Sequence, residues 1–157
     1  MTTAILAAGE TNWNRLAGPF QEAIVDTLVM VGTTLVIGGL CGLILGMLLY
    51  TTRAGGILQN KFIFGLLNIL VNFVRPIPFI ILLVTLGPLT KALVGSQIVR
   101  DAAIVGMSVA ATFGVARIVE QNLVTIDPGM IEAARAMGAS NWQIITGVII
   151  REALGPL

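Results

Sequence analysis

Asp127-Pro-Gly-Met-Ile-Glu132-Ala-Ala-Arg-Ala-Met-Gly138-Ala-Ser140-Asn-Trp-Gln143 carries the densest helix punctuation in a 157-residue chain that is otherwise mostly apolar. Asp127 is placed to N-cap a helix whose first residue is Pro128, where the missing proline N–H costs nothing. That helix is expected to run to Met137. Gly138 stands where a helix-ending C′ residue needs a left-handed backbone, and Ser140 with Gln143 three residues later reads as a capping box opening a second helix. The stretch therefore reads as helix, tight turn, helix. Within the first helix Met130, Ala134 and Met137 share one face at i, i+4 and i+7, and Glu132 can pair with Arg135 at i+3 on another. By spacing alone, this is an amphipathic helical hairpin with one face free to dock.

Outward from the hairpin the composition changes class. The chain is 56% hydrophobic and 11% charged, with a mean hydropathy of +0.95, far from the roughly 25% charged residues of soluble domains. An integral membrane protein is implied, with lipid as a partner. A net charge of +1 offers no basic field for a phosphate backbone, so nucleic acid is not expected. No histidine occurs and Cys41 is the lone cysteine, which argues against zinc sites, histidine-based triads and disulfide frameworks. Cys41 is expected to be a small buried packing residue. No Gly-x-x-x-x-Gly-Lys-Ser/Thr run is present, so P-loop hydrolysis of ATP is not this chain's work, and neither catalytic residues, a metal nor a cofactor is expected.

In chain order, residues 1–21 mix polar residues with Gly9 and Pro19, lack a sustained period, and read as an external tail with Trp13 near the interface. No cleavable signal pattern is visible there, so the first span is expected to act as its own uncleaved insertion signal. That span, near 24–50, is free of charge from Thr27 to Tyr50, long enough to cross a hydrocarbon core of about 30 Å. Gly38, Gly42 and Gly46 recur every fourth residue and open one face to close helix approach. Their spacing suits routine packing and a packed transport core alike. Thr51 to Lys61 then forms a short basic connection.

A second span is expected near 68–89. Arg75-Pro76-Ile77-Pro78 interrupts it, and two prolines remove two helical donors, so a kink or break is expected. Asn68 and Asn72 share a face ahead of the break. Arg75 lies in or near the membrane, either as a pathway or hinge group or as a side chain snorkelling to the interface. Gly87-Pro88 is expected to end the span, with a polar connection from Lys91 to Asp101. The third span, near 99–119, continues through Arg117 with Glu120 on the same face. Arg53, Lys61, Arg117, Arg135 and Arg151 fall on one side and Arg15, Lys91 and Arg100 on the other. The positive-inside bias thus puts the amino terminus outside and the hairpin in the cytoplasm.

Glu132-Ala133-Ala134, then Gly138-Ala139, then Gln143, resemble the EAA motif of membrane subunits of ATP-driven binding-cassette (ABC) importers. The wider run from Phe73 to Gln143, with Arg75-Pro-Ile-Pro-Phe-Ile-Ile-Leu-Leu-Val84, is similar to methionine-importer permeases. The resemblance implies an all-α, polytopic transmembrane helical bundle of the type-I importer permease kind, occupying residues 22–157, with the coupling loop at 127–143. It implies that Glu132, Ala133, Ala134, Gly138, Ala139, Trp142 and Gln143 meet a cytoplasmic ATPase, that Arg75, Pro76 and Pro78 form a gating or pathway patch, and that Gly138 sets the angle between the hairpin's arms. The implied partners are that ATPase, a second copy of the chain and an extracytoplasmic substrate-binding protein, in a bacterial inner membrane. Methionine is the implied cargo, another amino acid the alternative.

Two departures accompany the likeness. After Trp142 the second helix turns apolar, as if entering the bilayer, but Trp142 to Leu157 makes only about 24 Å of helix, and relatives of this kind continue through two further spans. The chain therefore reads as an incomplete permease domain. Arg151 also stands where the family usually has a proline. A membrane assembly protein without transport is a second reading, binding partners through its glycine-faced helix and not depending on residues 132–142. A small channel is a third, weakened by the lack of a charged ring or hydrophilic helix face to line a pore.

Overall fold

A computed structural model describes residues 13–95 and 100–153. Its elements are all helical: α1 Trp13–Thr52, α2 Lys61–Val74, α3 Phe79–Thr85, α4 Gly87–Val94, α5 Arg100–Val124, α6 Pro128–Ala136, α7 Asn141–Ile144, a π-helical turn Ile145–Ile149, and α8 Ile150–Ala153. Two of them, α1 from Ala17 and α5, are long and apolar enough to cross a membrane. Segments 24–50 and 100–119 lie inside these two helices, and residue 99 of the expected third span lies outside the described residues.

The α1–α5 pair is the spine. Gly38 faces Ser108 and Ala111, Gly42 faces Thr112 and Val115, and Gly46 faces Ala116 and Val119. Residue numbers rise together on both sides of the seam, so the helices run in the same direction. A Cβ on any of the three glycines would sit 2.6 Å from an atom of α5, a spacing that only a bare backbone permits. Gly32 and Gly39 face open space instead. Cys41 is exposed, contrary to its expected burial: it lies off the Gly38–Gly42–Gly46 face, where an apolar side chain meets lipid instead of protein.

Two parallel spans require the chain to return between them. The stretch expected as a span near 68–89 is divided here, with α2 and α3 meeting at a bend of 113°. Pro78 is the extended N-cap of α3, with φ −55° and ψ 134°. Its ring forbids helical continuation and biases Ile77 away from it. α3 stops at Thr85, just before Gly87-Pro88 as expected, and the same pair opens a further helix: Pro88 occupies the first turn of α4, where no donor is lost. Lys91 therefore lies on α4, which stops at Gly95 with φ +80°. Leu83 of α3 packs into the gap at Gly106 of α5.

Residues 13–21, expected as part of an irregular tail, are helical, and α1 passes through Gly18-Pro19 without a break. Propagating a helix from the long apolar run costs far less than nucleating one, so weak local signals are overridden. The other side of that tail, residues 1–12, lies outside the described residues. At the far end α1 stops at Thr52, and both closing threonines are buried and bond back to Met47 and Leu48 carbonyls at 2.9 and 2.6 Å. The following loop folds onto this end through Leu58 N–H to Thr51 O and Asn60 N–H to Thr52 O, each 3.0 Å.

Candidate functional site

The hairpin forms as its punctuation predicts. The Asp127 carboxylate accepts from the Gly129 N–H at 2.8 Å, Pro128 opens α6, and the helix ends at Ala136 with Met137 as its cap, one residue earlier than expected. Gly138 has φ +83°. Its N–H donates to Arg135 O at 2.9 Å, and the Ala139 N–H donates to Ala134 O at 3.1 Å. This pair of bonds satisfies two of the carbonyls a helix end leaves free. The second arm opens on a closed capping box: Gln143 N–H donates to Ser140 Oγ, and Ser140 N–H donates to Gln143 Oε1 at 2.8 Å. The four successive N–H groups from Met137 to Ser140 are thus all bonded.

Side-chain packing then fixes the hairpin to the spine. Ala134, Ile144, Ile145 and Ile149 share a buried cluster with Tyr50 of α1, Val119 and Leu123 of α5, and Ile126 of the connecting loop. Ile144 and Ile149 have no exposed surface. These isoleucines, expected to point toward the bilayer, instead form the seat that joins the hairpin to the ends of α1 and α5. Periodicity reports that a face is apolar; it does not report whether lipid or protein covers it. The local helix there widens into the π turn Ile145–Ile149, and the wider turn suits Ile144 and Ile149, five residues apart and both fully buried.

The opposite face is open. Glu132, Ala133, Arg135, Gly138, Trp142 and Gln143 are exposed, while Ala139 is half-buried against the cluster. Trp142 is 72% exposed and Met137 82%. Of the anticipated Met130, Ala134 and Met137 face, only Ala134 turns into the seat; the two methionines overhang the ends of α6. Glu132 and Arg135 are not paired: the ion pairs among the described residues are Arg100–Asp26, Arg100–Asp101 and Arg117–Glu120. Water screens two exposed side chains too well for a single i, i+3 pair to hold them. The outer surface thus offers a large aromatic, a methionine and two unpaired opposite charges on a rigid support.

Arg75, Pro76 and Pro78 occupy a different place, the α2–α3 bend. Arg75 caps α2 through its backbone N–H to Val71 O at 3.1 Å, and all three residues are exposed. Arg117 and Glu120, expected on one face of the helix, form an ion pair at 2.5 Å, with Glu120 nearly enclosed. Two further features were not among the expectations from sequence. Arg53 stacks on the Tyr50 ring at 5.8 Å, and a cavity of about 220 Å³ opens between the α1–α2 loop and the base of α6, with Arg53, Gly56, Ile126 and Ile131 among its walls. The first is a local i, i+3 contact at the end of α1, whereas the cavity arises from segments that meet only in the folded chain. Among the described residues no cluster of metal-ligating side chains occurs.

Residues 38–157 match the family described as "binding-protein-dependent transport system inner membrane component". The D-methionine transport system permease protein MetI of Yersinia pestis is 47% identical over 133 residues, 85% of this chain and 61% of that protein. MetI of Escherichia coli K12 is 45% identical over the same shares. Among solved structures, an inward-facing conformation of the MetNI methionine ABC transporter superposes with a TM-score of 0.80 at 44% identity, covering 83% of this chain and 61% of that one. The chain spans about 61% of the length of the relatives it matches.

Proposed function

Because this chain belongs to the family of binding-protein-dependent transport system inner membrane components, we propose that it serves as the transmembrane subunit of an ATP-driven importer that carries an amino acid, methionine foremost, across the inner membrane. The observation that carries the reading is the hairpin 127–143: its inner face is packed against the ends of both long helices, and its outer face is free. Close-packed elements move as rigid bodies. Force applied to the outer face therefore passes directly into α1 and α5.

In this reading Glu132, Ala133, Ala134, Gly138, Ala139, Trp142 and Gln143 are the coupling element of a permease domain beginning near residue 22. A cytoplasmic ATPase seats on the exposed Trp142 and Met137, and its closure and opening are converted into outward and inward gating between two copies of the chain. A substrate-binding protein delivers the amino acid from the outer side. Hydrolysis belongs to the ATPase, since this sequence has no phosphate-cradling loop. The parallel run of α1 and α5 supports the orientation with the amino terminus outside and the hairpin in the cytoplasm, because both helices then end at the more basic side. The methionine assignment draws on the likeness to the MetI proteins.

A detergent pull-down tests this reading: the chain should retain its cognate ATPase and lose it on Glu132→Arg. A well-folded chain that retains none would transfer the case to an assembly protein whose contacts do not need residues 132–142.

A further inference from the structure

The α2 helix divides into three sectors. Val71, with no exposed surface, marks the packed face, flanked by the half-buried Phe64 and Leu67. Phe62, Leu66, Ile69 and Phe73, between 60% and 80% exposed, form an apolar outer face. Between the two runs a polar stripe: Lys61, Asn68, Asn72 and Arg75 recur at intervals of seven, four and three, and so lie along one line of the helix. Asn72 Nδ2 donates to Asn68 Oδ1 at 2.9 Å. The remaining amide donors and acceptor of that pair have no protein partner among the described residues, and Arg75 takes part in no ion pair there.

Lipid cannot satisfy such a line. Lys61 and Arg75 are separated by about 21 Å of helix, a large part of a core about 30 Å thick, and unsatisfied polar groups at that depth must meet protein or water. The charge of the stripe selects its occupant: amide groups offer neutral donors and acceptors, and Arg75 at the bend offers a planar fork suited to a carboxylate. We propose that Lys61, Asn68, Asn72 and Arg75 form the wet wall of the passage, and that Arg75 at the α2–α3 bend receives the α-carboxylate of the transported amino acid. This rests on the importer reading above and adds the residues that touch the cargo. The bend is what makes the site: Pro76 and Pro78 turn the chain by 113°, leaving Arg75 at the end of α2 with no following helical turn to cover it.

The test uses the full chain with its ATPase in membrane vesicles, with Cys41 first changed to serine. Single cysteines replace Asn68, Asn72, Ile69 and Phe73, and their labelling by a charged, membrane-impermeant thiol reagent is timed with and without methionine. Positions 68 and 72 should label at least roughly tenfold faster than 69 and 73, and methionine should slow them several-fold. Equal rates across the four positions overturn the proposal, as does disulfide formation between copies at 68 or 72, which would make the stripe an interface. Independently, Arg75→Gln should raise the KM for methionine about tenfold or more while leaving uptake of methionine amide, which lacks the carboxylate, unchanged, and Arg75→Lys should restore part of the loss. An equal loss for both compounds would make Arg75 a structural residue of the bend. Labelling reads hydration of the stripe whether or not the ATPase is retained, so a wet stripe without a bound ATPase would sink the importer reading and leave the stripe standing.

Discussion

Asp26 and Arg100 are 74 residues apart in sequence, yet their side chains meet at 2.7 Å, joining α1 to α5 at the end opposite the hairpin. Asp101 approaches the same guanidinium at 3.2 Å. All three side chains are about half exposed, so screening keeps the contribution small and sensitive to salt. Its value lies in register, because it ties the two parallel helices together beyond the glycine seam. Asp26→Asn should lower the thermal midpoint in detergent slightly, with the difference from wild type shrinking at high salt. A difference that stays constant from low to high salt would show that the pair acts through something other than charge.

The seam itself is far less tolerant. A Cβ at Gly42 would lie 2.6 Å from Val115 Cβ and 2.9 Å from the Thr112 carbonyl oxygen, atoms fixed by the α5 backbone. Gly42→Val should therefore force the helices apart and cost roughly 1–3 kcal/mol, the usual range for an overpacked core. Gly39→Ala, with nothing within 4 Å of its added carbon, should stay within about 0.5 kcal/mol of wild type. Thermal unfolding of both variants in the same detergent checks the contrast; similar midpoints would mean that the seam is looser than its spacing.

How much of this was legible in the sequence divides along physical lines. Asp127, Gly138, Ser140 and Gln143 act through bonds to their own neighbours, so their spacing was enough to read the caps and the turn. Gly38, Gly42 and Gly46 revealed a close-approach face, though not that α5 would fill it in parallel. Pro76 and Pro78 announced a break and left its angle open, since the angle depends on where α3 finds Gly106. The isoleucines from Ile144 to Ile149 look equally suited to lipid and to a protein seat, and only the folded ends of α1 and α5 distinguish the two. Cys41 was misplaced for the same reason. Asp26 and Arg100 could not be paired from sequence at all, because nothing local connects them.

Inside the α5 helix, Arg117 holds the nearly enclosed Glu120 carboxylate at 2.5 Å, with side-chain exposures of 27% and 9%. Removing the cation strands a charge beside Val119 and Leu123, which belong to the hairpin's seat. Breaking a fully buried pair costs roughly 3–5 kcal/mol; with Arg117 partly in solvent, Arg117→Met should cost about 2–3 kcal/mol. Adding Glu120→Gln should recover much of that loss, because the stranded charge disappears. A double variant no more stable than Arg117→Met would indicate that the arginine's packing, not its charge, supports the seat.

Gly138 offers the sharpest separation between folding and function. Its φ of +83° is strained for a side-chain-bearing residue, yet a Cβ there would meet nothing within 4 Å, so conformation alone decides the outcome. A valine in a left-handed position costs roughly 1–2 kcal/mol or somewhat more, whereas asparagine tolerates it. The hairpin's two arms are pinned separately, α6 by Ala134 and the second arm by Ile144, Ile145 and Ile149. Strain at the turn must then appear as a changed angle between arms that each remain seated. Gly138→Val should retain the ATPase in a pull-down and still allow hydrolysis, while uptake per ATP consumed falls several-fold; Gly138→Asn should keep most of the coupling. Uptake and hydrolysis measured together in proteoliposomes decide it, and a valine variant with undiminished uptake per ATP would remove Gly138 from the coupling path.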